Sequence, residues 1–300
     1  MKRDLIVVGA GPAGITAGMY GMRSGLETLV VDKGICGGLS NEAPVIENYP
    51  GFKKIGGMEL AEKMKEQVSE YVEINELEEV KKIELGAEEM TVITEKDTYL
   101  TKAVVISTGT KHKRLGVKGE DEYLGRGISY CATCDGFFFR NKQVMVVGGG
   151  NSAVREALYL KNIGCEVTLI HRRDKLRAEQ YLQKNLEEAG IRILWNSIIE
   201  EINGDEAVRS VVRYDKKRDE RDVLPVDGIF ISIGEDPVNG LATQIGIKMD
   251  KSGYIITDKN QRTNLERVYA AGDITGGVRQ IVVACAEGAI AATSAYDDLQ

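Results

Sequence analysis

The sequence predicts an α/β protein of two domains, each a largely parallel sheet with helices packed on its faces. Three observations predict it. The turn Gly9-Ala10-Gly11-Pro12-Ala13-Gly14 follows the apolar run Leu5-Ile6-Val7-Val8. A second turn, Gly148-Gly149-Gly150-Asn151-Ser152-Ala153, follows Val144-Met145-Val146-Val147. After each turn, strand-like and helix-like segments alternate, the pattern of βαβ units. These features together describe two Rossmann-like, three-layer ββα domains, the first of them discontinuous.

The elements follow in chain order. Residues 5–8 read as a buried strand, 13–24 as the helix after it, and 27–31 as a second strand ending at Asp32. A polar hairpin (90–94 and 98–100) precedes an apolar strand at 103–107, which closes on Thr108-Gly109. The second unit repeats the order: strand 144–147, helix 152–163, and strand 166–170 ending at His171. A hairpin at 208–214 and 221–224 leads to a strand at 229–233 and Gly234. The tail carries strands at 254–257 and 267–271, then Gly272-Asp273 and a helix from about Gln280. It is too short for a third core, so it is expected to return to the first sheet. Crossings are expected in the Gly-rich and polar stretches 111–118 and 240–246. This gives one domain of residues 1–112 with 245–300, and an inserted domain of 113–244.

Composition sets limits on function. Three hundred residues suit about two independent cores. The 34 Gly and 5 Pro fit many tight strand-to-helix turns rather than disorder. A net charge of −7 without a basic block argues against a nucleic-acid partner. No apolar run approaches the ~20 residues of a membrane span, and Glu287 breaks the longest candidate. No signal peptide is visible, and five cysteines do not make a secreted disulfide framework. A reducing cytoplasm is therefore the expected compartment.

The first glycine turn has a nucleotide-binding logic. Gly9 permits the tight turn, Gly11 lets the backbone approach a pyrophosphate, and Gly14 lets helix and strand pack closely. The helix N-terminus then offers unpaired N–H groups to the phosphates. Asp32 ends the second strand, where an acid bonds ribose hydroxyls. In the second turn Ala153 replaces the third glycine beside Gly148, Gly150, Asn151 and Ser152. Its second strand ends not in an acid but in His171-Arg172-Arg173, with Arg177 one helical turn further on. Arginines there attract a 2′-phosphate that an acid would repel. Two charge-assisted bonds of ~1.5–3 kcal/mol would favour NADPH over NADH by roughly 10² or more. His171 is open to two readings, a phosphate contact or a cap on its strand.

Between the turns lies Cys131-Ala132-Thr133-Cys134. Half a zinc site would need a second ligand pair, but Cys36, Cys165 and Cys285 are isolated and the histidines are His112 and His171. A redox pair is the better reading, so no metal is expected. Asp135 follows at once and can carry a proton for a leaving thiolate. Phe137-Phe138-Phe139 is either a wall that excludes water or ordinary core. The three isolated cysteines are expected to be buried packing residues.

The chain resembles the low-molecular-weight thioredoxin reductases along essentially its whole length. The resemblance rests on Gly9 to Gly14, Gly37-Gly38, Glu47-Asn48-Tyr49-Pro50-Gly51, Thr108-Gly109, Cys131-Ala132-Thr133-Cys134-Asp135-Gly136, Gly148 to Ala153, His171-Arg172-Arg173-Asp174 with Arg177, and Ala271-Gly272-Asp273. It implies a homodimer with FAD in the first domain, NADPH in the second and thioredoxin as the disulfide substrate. It implies that Gly9, Gly11, Pro12, Ala13, Gly14, Asp32, Lys33, Gly37, Gly38 and Asn48 line the FAD, with Thr108, Gly109 and Gly272. Asp273 is then expected on the ribityl chain and Arg279-Gln280-Ile281 beside the flavin, with Asp135 as the acid. Leu39 departs from the pattern, standing where the family usually has Gln, and removes a polar contact near the flavin. The resemblance also implies a rotation of one domain against the other, so that dithiol and nicotinamide take turns at the flavin. Three rivals stand beside this reading: a dithiol oxidase, which would not need the arginines; a reductase for a glutaredoxin-like or peroxidase carrier; and a flavin-binding sensor.

Overall fold

The computed structural model describes residues 1–43 and 45–300. The chain divides into two compact units, residues 1–111 with 236–300 and residues 112–235. In the first, β1 (Lys2–Val8) leads through the glycine turn to α1 (Pro12–Arg23) and β2 (Thr28–Val31). Then come α2 (Gly57–Ser69), β3 (Glu73–Asn75), β4 (Val80–Glu84), β5 (Met90–Thr94) and β6 (Thr98–Ile106). Proline at the first helical position of α1 has no N–H to leave unpaired and a φ already suited to a helix.

The chain crosses at β7 (Thr110–His112) into the second unit. There β8 (Ile128–Ser129), α3 (Ala132–Asp135), β9 (Gln143–Gly148), α4 (Asn151–Asn162), β10 (Glu166–Ile170), α5 (Gln180–Glu188) and β11 (Arg192–Leu194) precede β12 (Ser197–Gly204), β13 (Val208–Asp215), β14 (Glu220–Pro225) and β15 (Gly228–Ser232). It returns through β16 (Glu235–Pro237) to α6 (Gly240–Ile245), β17 (Val268–Ala270) and α7 (Ile281–Leu299).

Among the described residues the first unit holds a seven-stranded sheet in the order β3-β2-β1-β6-β5-β4, with β17 also on β6. The long strand β6 explains the branch. Its first half pairs antiparallel with β5, Met90 opposite Thr101, and its second half pairs parallel with β17, Val268 opposite Val104. The hairpin and the apolar strand expected at 98–107 are thus one continuous strand. The tail joins the first sheet, and α7 packs on α1. Small side chains allow that approach: Ala284, Ala291, Ala292 and Ala295 are buried, and a Cβ at Gly288 would overlap the Ala13 carbonyl.

The second unit holds the parallel sheet β11-β10-β9-β15-β8 and the antiparallel ribbon β12-β13-β14. Three expectations need correction. Residues 254–257 form no strand; Ile255 makes a single bridge to Met249 between turns. The return crossing lies before residues 240–246, because that stretch is α6, whose Gln244 Oε1 accepts the Ile83 N–H of β4 at 3.1 Å. The segment carrying Arg172, Arg173 and Arg177 is a loop rather than a helical turn, with α5 starting only at Gln180.

Candidate functional site

In the first unit the glycines divide by what surrounds them. A Cβ at Gly9 (φ 108°) would overlap the Ser107 carbonyl, and one at Gly14 would overlap the Gly9 carbonyl. Both positions are closed to any side chain by backbone alone. Gly11 is the opposite case: nothing lies within 4 Å of its Cβ position, and it is the N-cap of α1 with no side-chain cap. The helix therefore presents bare N–H groups to open space, the cradle a pyrophosphate fills.

Asp32 braces this turn, accepting the Ala10 N–H at 2.5 Å and the Gly34 N–H at 2.6 Å. Lys33 beside it is exposed. The Gly37 N–H reaches the Ala10 carbonyl at 2.8 Å, and a Cβ at Gly38 would sit 3.4 Å from the Gly11 Cα. Half-buried Leu39 follows. A Cβ at Gly272 would come within 2.8 Å of the Ala13 Cβ, so the segment opening on Asp273 also meets the start of α1. Its Gly272 N–H is held by Glu287 Oε2 at 2.7 Å, a carboxylate that burial raises above its usual range.

Two further contacts join distant segments. Asn48 Nδ2 donates to Gln280 Oε1 at 2.9 Å, just ahead of Ile281 in the first turn of α7. Arg279 Nη1 reaches the Tyr254 hydroxyl at 3.3 Å. Thr108 Oγ1 donates to the Val238 carbonyl at 2.7 Å, and Gly109 accepts from the Val238 N–H at 3.0 Å.

The second turn repeats the logic. A Cβ at Gly148 would overlap the Ser232 carbonyl, while Gly150 opens on empty space at the uncapped start of α4, where Asn151, Ser152 and Ala153 follow. The loop after β10 is pinned back onto this turn. The Arg177 N–H donates to the Gly149 carbonyl at 2.7 Å, and the Glu179 N–H to Asn151 Oδ1 at 2.9 Å. Arg172, Arg173 and Arg177 are exposed, and none forms an ion pair among the described residues. His171 is only 6 % exposed; its Nδ1 lies 2.8 Å from the Gly148 carbonyl, and its ring fills the space a Cβ at Gly149 would need. Burial pushes its imidazole below the ordinary value. Its place is under the turn as a brace, with the three guanidiniums outside.

At the edge of the same sheet β8 pairs with β15 and runs into the dithiol. Cys131 and Cys134 are joined by a disulfide with Cα atoms 5.3 Å apart, both half-buried, across the single turn α3. Buried Ala132 and Gly136 seat the turn; a Cβ at Gly136 would lie 2.7 Å from Leu160 Cδ2 of α4. Asp135 is 9 % exposed, and burial raises its carboxyl above the ordinary value. The phenylalanines split. Phe139 packs edge-on to Phe230 at 5.3 Å, whereas Phe137 and Phe138 are exposed. Cys36, Cys165 and Cys285 are free thiols, and burial pushes Cys36 up to about 12, far from thiolate reactivity at neutral pH.

Sequence reasoning missed the surroundings of Cys131. The Tyr130 ring stacks on His112 at 4.4 Å, and its hydroxyl donates to buried Glu120 at 2.7 Å. Ser129 bonds Asp135 at 2.6 Å. A hydroxyl two residues before the first cysteine was the available signal, but nothing in the spacing says which way it turns.

The family described as pyridine nucleotide-disulphide oxidoreductase matches residues 3–288. The thioredoxin reductase of Listeria innocua is 42% identical over 295 residues, covering 97% of this chain and 92% of that protein. That of Bacillus subtilis is 42% identical over 294 residues, covering 97% and 93%. The crystal structure of thioredoxin reductase from Streptococcus pyogenes superposes with a TM-score of 0.94 at 41% identity, over 99% of this chain and 98% of that one. The chain belongs to the pyridine nucleotide-disulphide oxidoreductases, among the thioredoxin reductases. This reductase is accordingly a flavoprotein disulfide reductase whose cofactors are FAD and NADPH. The residues present fit them: each unit has a glycine N-cap, Gly11 or Gly150, opening on space at a bare helix start, and the second unit adds arginines that form no ion pair among the described residues.

Proposed function

We propose that this reductase moves two electrons from NADPH to the disulfide of an oxidised thioredoxin through Cys131 and Cys134. Gly9 to Gly14, Asp32, Gly37 and Gly38 would hold the FAD, with Gly272 and Asp273 nearby. Gly148 to Ala153 with Arg172, Arg173 and Arg177 would hold NADPH. FAD, when bound, supplies the two-electron link between the nicotinamide and the sulfur pair. The observation that carries the reading is the half-buried disulfide beside a buried carboxyl raised toward protonation.

The chain's own chemistry follows. Opening the Cys131–Cys134 bond takes two electrons and ends, with two protons, as two thiols. Asp135 delivers one of those protons. A thiolate of the pair then attacks the thioredoxin disulfide to form a mixed disulfide, and the second cysteine displaces it. The Cys131–Cys134 bond is restored, and thioredoxin leaves as a dithiol. Exposed Phe137 and Phe138, three and four residues past Cys134, give a protein substrate an apolar landing surface.

A homodimer is part of the proposal. Tyr20 and Met22 of α1 and Val282 and Ile290 of α7 are exposed on helices of one unit, an apolar set suited to a second copy. Among the described residues no helix is long and apolar enough to cross a membrane. A reducing cytoplasm agrees with the three free thiols.

The test is anaerobic. NADPH should bleach the yellow protein, and oxidised thioredoxin should restore the colour. Cys134→Ser should still bleach yet lose thioredoxin turnover by more than ~10²-fold. Normal turnover by that variant refutes the role of the pair.

A further inference from the structure

Two residues six apart bracket the dithiol: Ser129 ends β8 and Asp135 ends α3. Both are buried. The Cys131 N–H donates to Ser129 Oγ at 3.0 Å. The hydroxyl's one hydrogen then has two candidate acceptors, Asp135 Oδ2 at 2.6 Å and the Cys131 carbonyl at 3.3 Å. The nearer one belongs to the carboxyl, whose oxygen accepts in either protonation state and most strongly once ionised, so the hydrogen goes to Oδ2. Asp135 Oδ1 is buried and has no hydrogen-bond partner among the described residues. The carboxyl therefore has two unlike oxygens, one clamped and one open to a proton.

Among the described residues no ionised side chain shifts this carboxyl. Its position above the ordinary range comes from burial, and the Ser129 bond pulls it back. Titratable groups on elements packed against the turn, beyond Cys131 and Cys134 themselves, include Tyr159 of α4 and Cys165. The Tyr159 ring edge would lie 3.3 Å from a Cβ at Gly136, and Cys165 Sγ is 3.9 Å from the Gly136 carbonyl. Burial raises the Cys165 thiol.

We infer that Ser129 is the positioning residue for the proton donor: its hydroxyl clamps Asp135 Oδ2 and reserves Oδ1 for the proton given to a cysteine sulfur. The inference rests on the disulfide reductase reading above. When the S–S bond breaks, the two electrons come from NADPH. NADPH gives up one proton with those electrons and becomes NADP+. One proton leaves Oδ1 for a sulfur, and the other, matched by the one NADPH gives up, comes from solvent. Asp135 is left as a carboxylate that the Ser129 hydrogen bond stabilises, and solvent reprotonates it.

The test follows the Asp135 carboxyl by infrared titration of the FAD-loaded protein, its band assigned by loss in Asp135→Asn. Alongside it, the pH profile of thioredoxin reduction is measured. Ser129→Ala removes a hydrogen bond to the ionised form, so the carboxyl midpoint should rise by roughly one pH unit or more. The falling alkaline limb of the profile should move up with it. Ser129→Thr should bring both back. A midpoint unmoved in Ser129→Ala overturns the inference. So does a limb that still moves in the Ser129→Ala, Asp135→Asn double variant, since Ser129 would then act through the Cys131 N–H. If the wild type fails to reduce thioredoxin while the infrared midpoint moves as expected, the hold of Ser129 on Asp135 stands and the substrate reading fails.

Discussion

Arg172, Arg173 and Arg177 stand in solvent with no acid paired to them among the described residues, on a loop whose backbone is tied to the glycine turn. An unpaired surface cation contributes nothing to folding through ion pairing, so these side chains are free to be lost without structural cost. Replacing Arg172 and Arg173 together by alanine should leave the thermal midpoint unchanged. It should raise KM for NADPH by roughly 10²-fold, from two lost charge-assisted bonds, while kinetics with NADH stay nearly constant. Steady-state kinetics with both nucleotides decides it, and equal losses would refute a 2′-phosphate contact. His171, next in sequence, belongs to the opposite class. It is a buried ring with an interior partner, and it cannot serve as a surface cation.

Glycine turns are properties of elements, because what excludes a side chain is the neighbouring element. At Gly149 the obstacle is the His171 ring, supplied by the end of β10. Gly149→Ala should force that ring aside and cost about 1–3 kcal/mol as overpacking. His171→Ala alone loses a buried ring and its bond to Gly148. In the double variant the new methyl enters the space the ring leaves, so the losses should be less than additive. Chemical denaturation of the four proteins measures this coupling; strict additivity would show that ring and turn do not share that space. At Gly14 no such rescue exists, since the obstacle is the Gly9 carbonyl itself. The same contrast explains β6. Its alternating first half pairs with β5 and its apolar second half with β17, so one strand carries two sequence patterns.

At the scale of the molecule, the end of α7 is fastened to the rest of its unit by Asp298. Its carboxylate takes Arg262 Nε and Nη2, each at 2.8 Å, and the Tyr269 hydroxyl at 2.7 Å. The Arg262 bond holds the Asp298 carboxyl below its ordinary value, and the same pairing raises Arg262. The sign follows: a depressed folded-state value gives stability that is full above the unfolded value and lost as pH falls through the folded one. Asp298→Asn should lower Tm at neutral pH by roughly 2–4 °C. The gap between wild type and variant should close as the pH drops below ~4. Thermal scans from neutral to acid check this, and a gap constant with pH would show that the ion pair is not its source.

Much of the site was legible in the sequence because its chemistry is local. Each glycine turn, its strand and its helix lie within about twenty residues, and Cys131, Cys134 and Asp135 share one helical turn. Residues 254–257 misled, since their β-branched composition matches a strand, yet among the described residues they pair only through the single Ile255–Met249 bridge. The loop after β10 misled too, since charge gives no sign of where a helix starts.

The sequence by itself determined the two glycine turns, the cysteine pair and the basic end of β10, because those depend on residue type at fixed short spacing. Only the tertiary structure decided that His171 turns inward, that Phe139 is core while Phe137 and Phe138 face solvent, and that Ser129 grips Asp135. Those outcomes depend on which surfaces meet across a sheet, and distance along the chain carries no information about that.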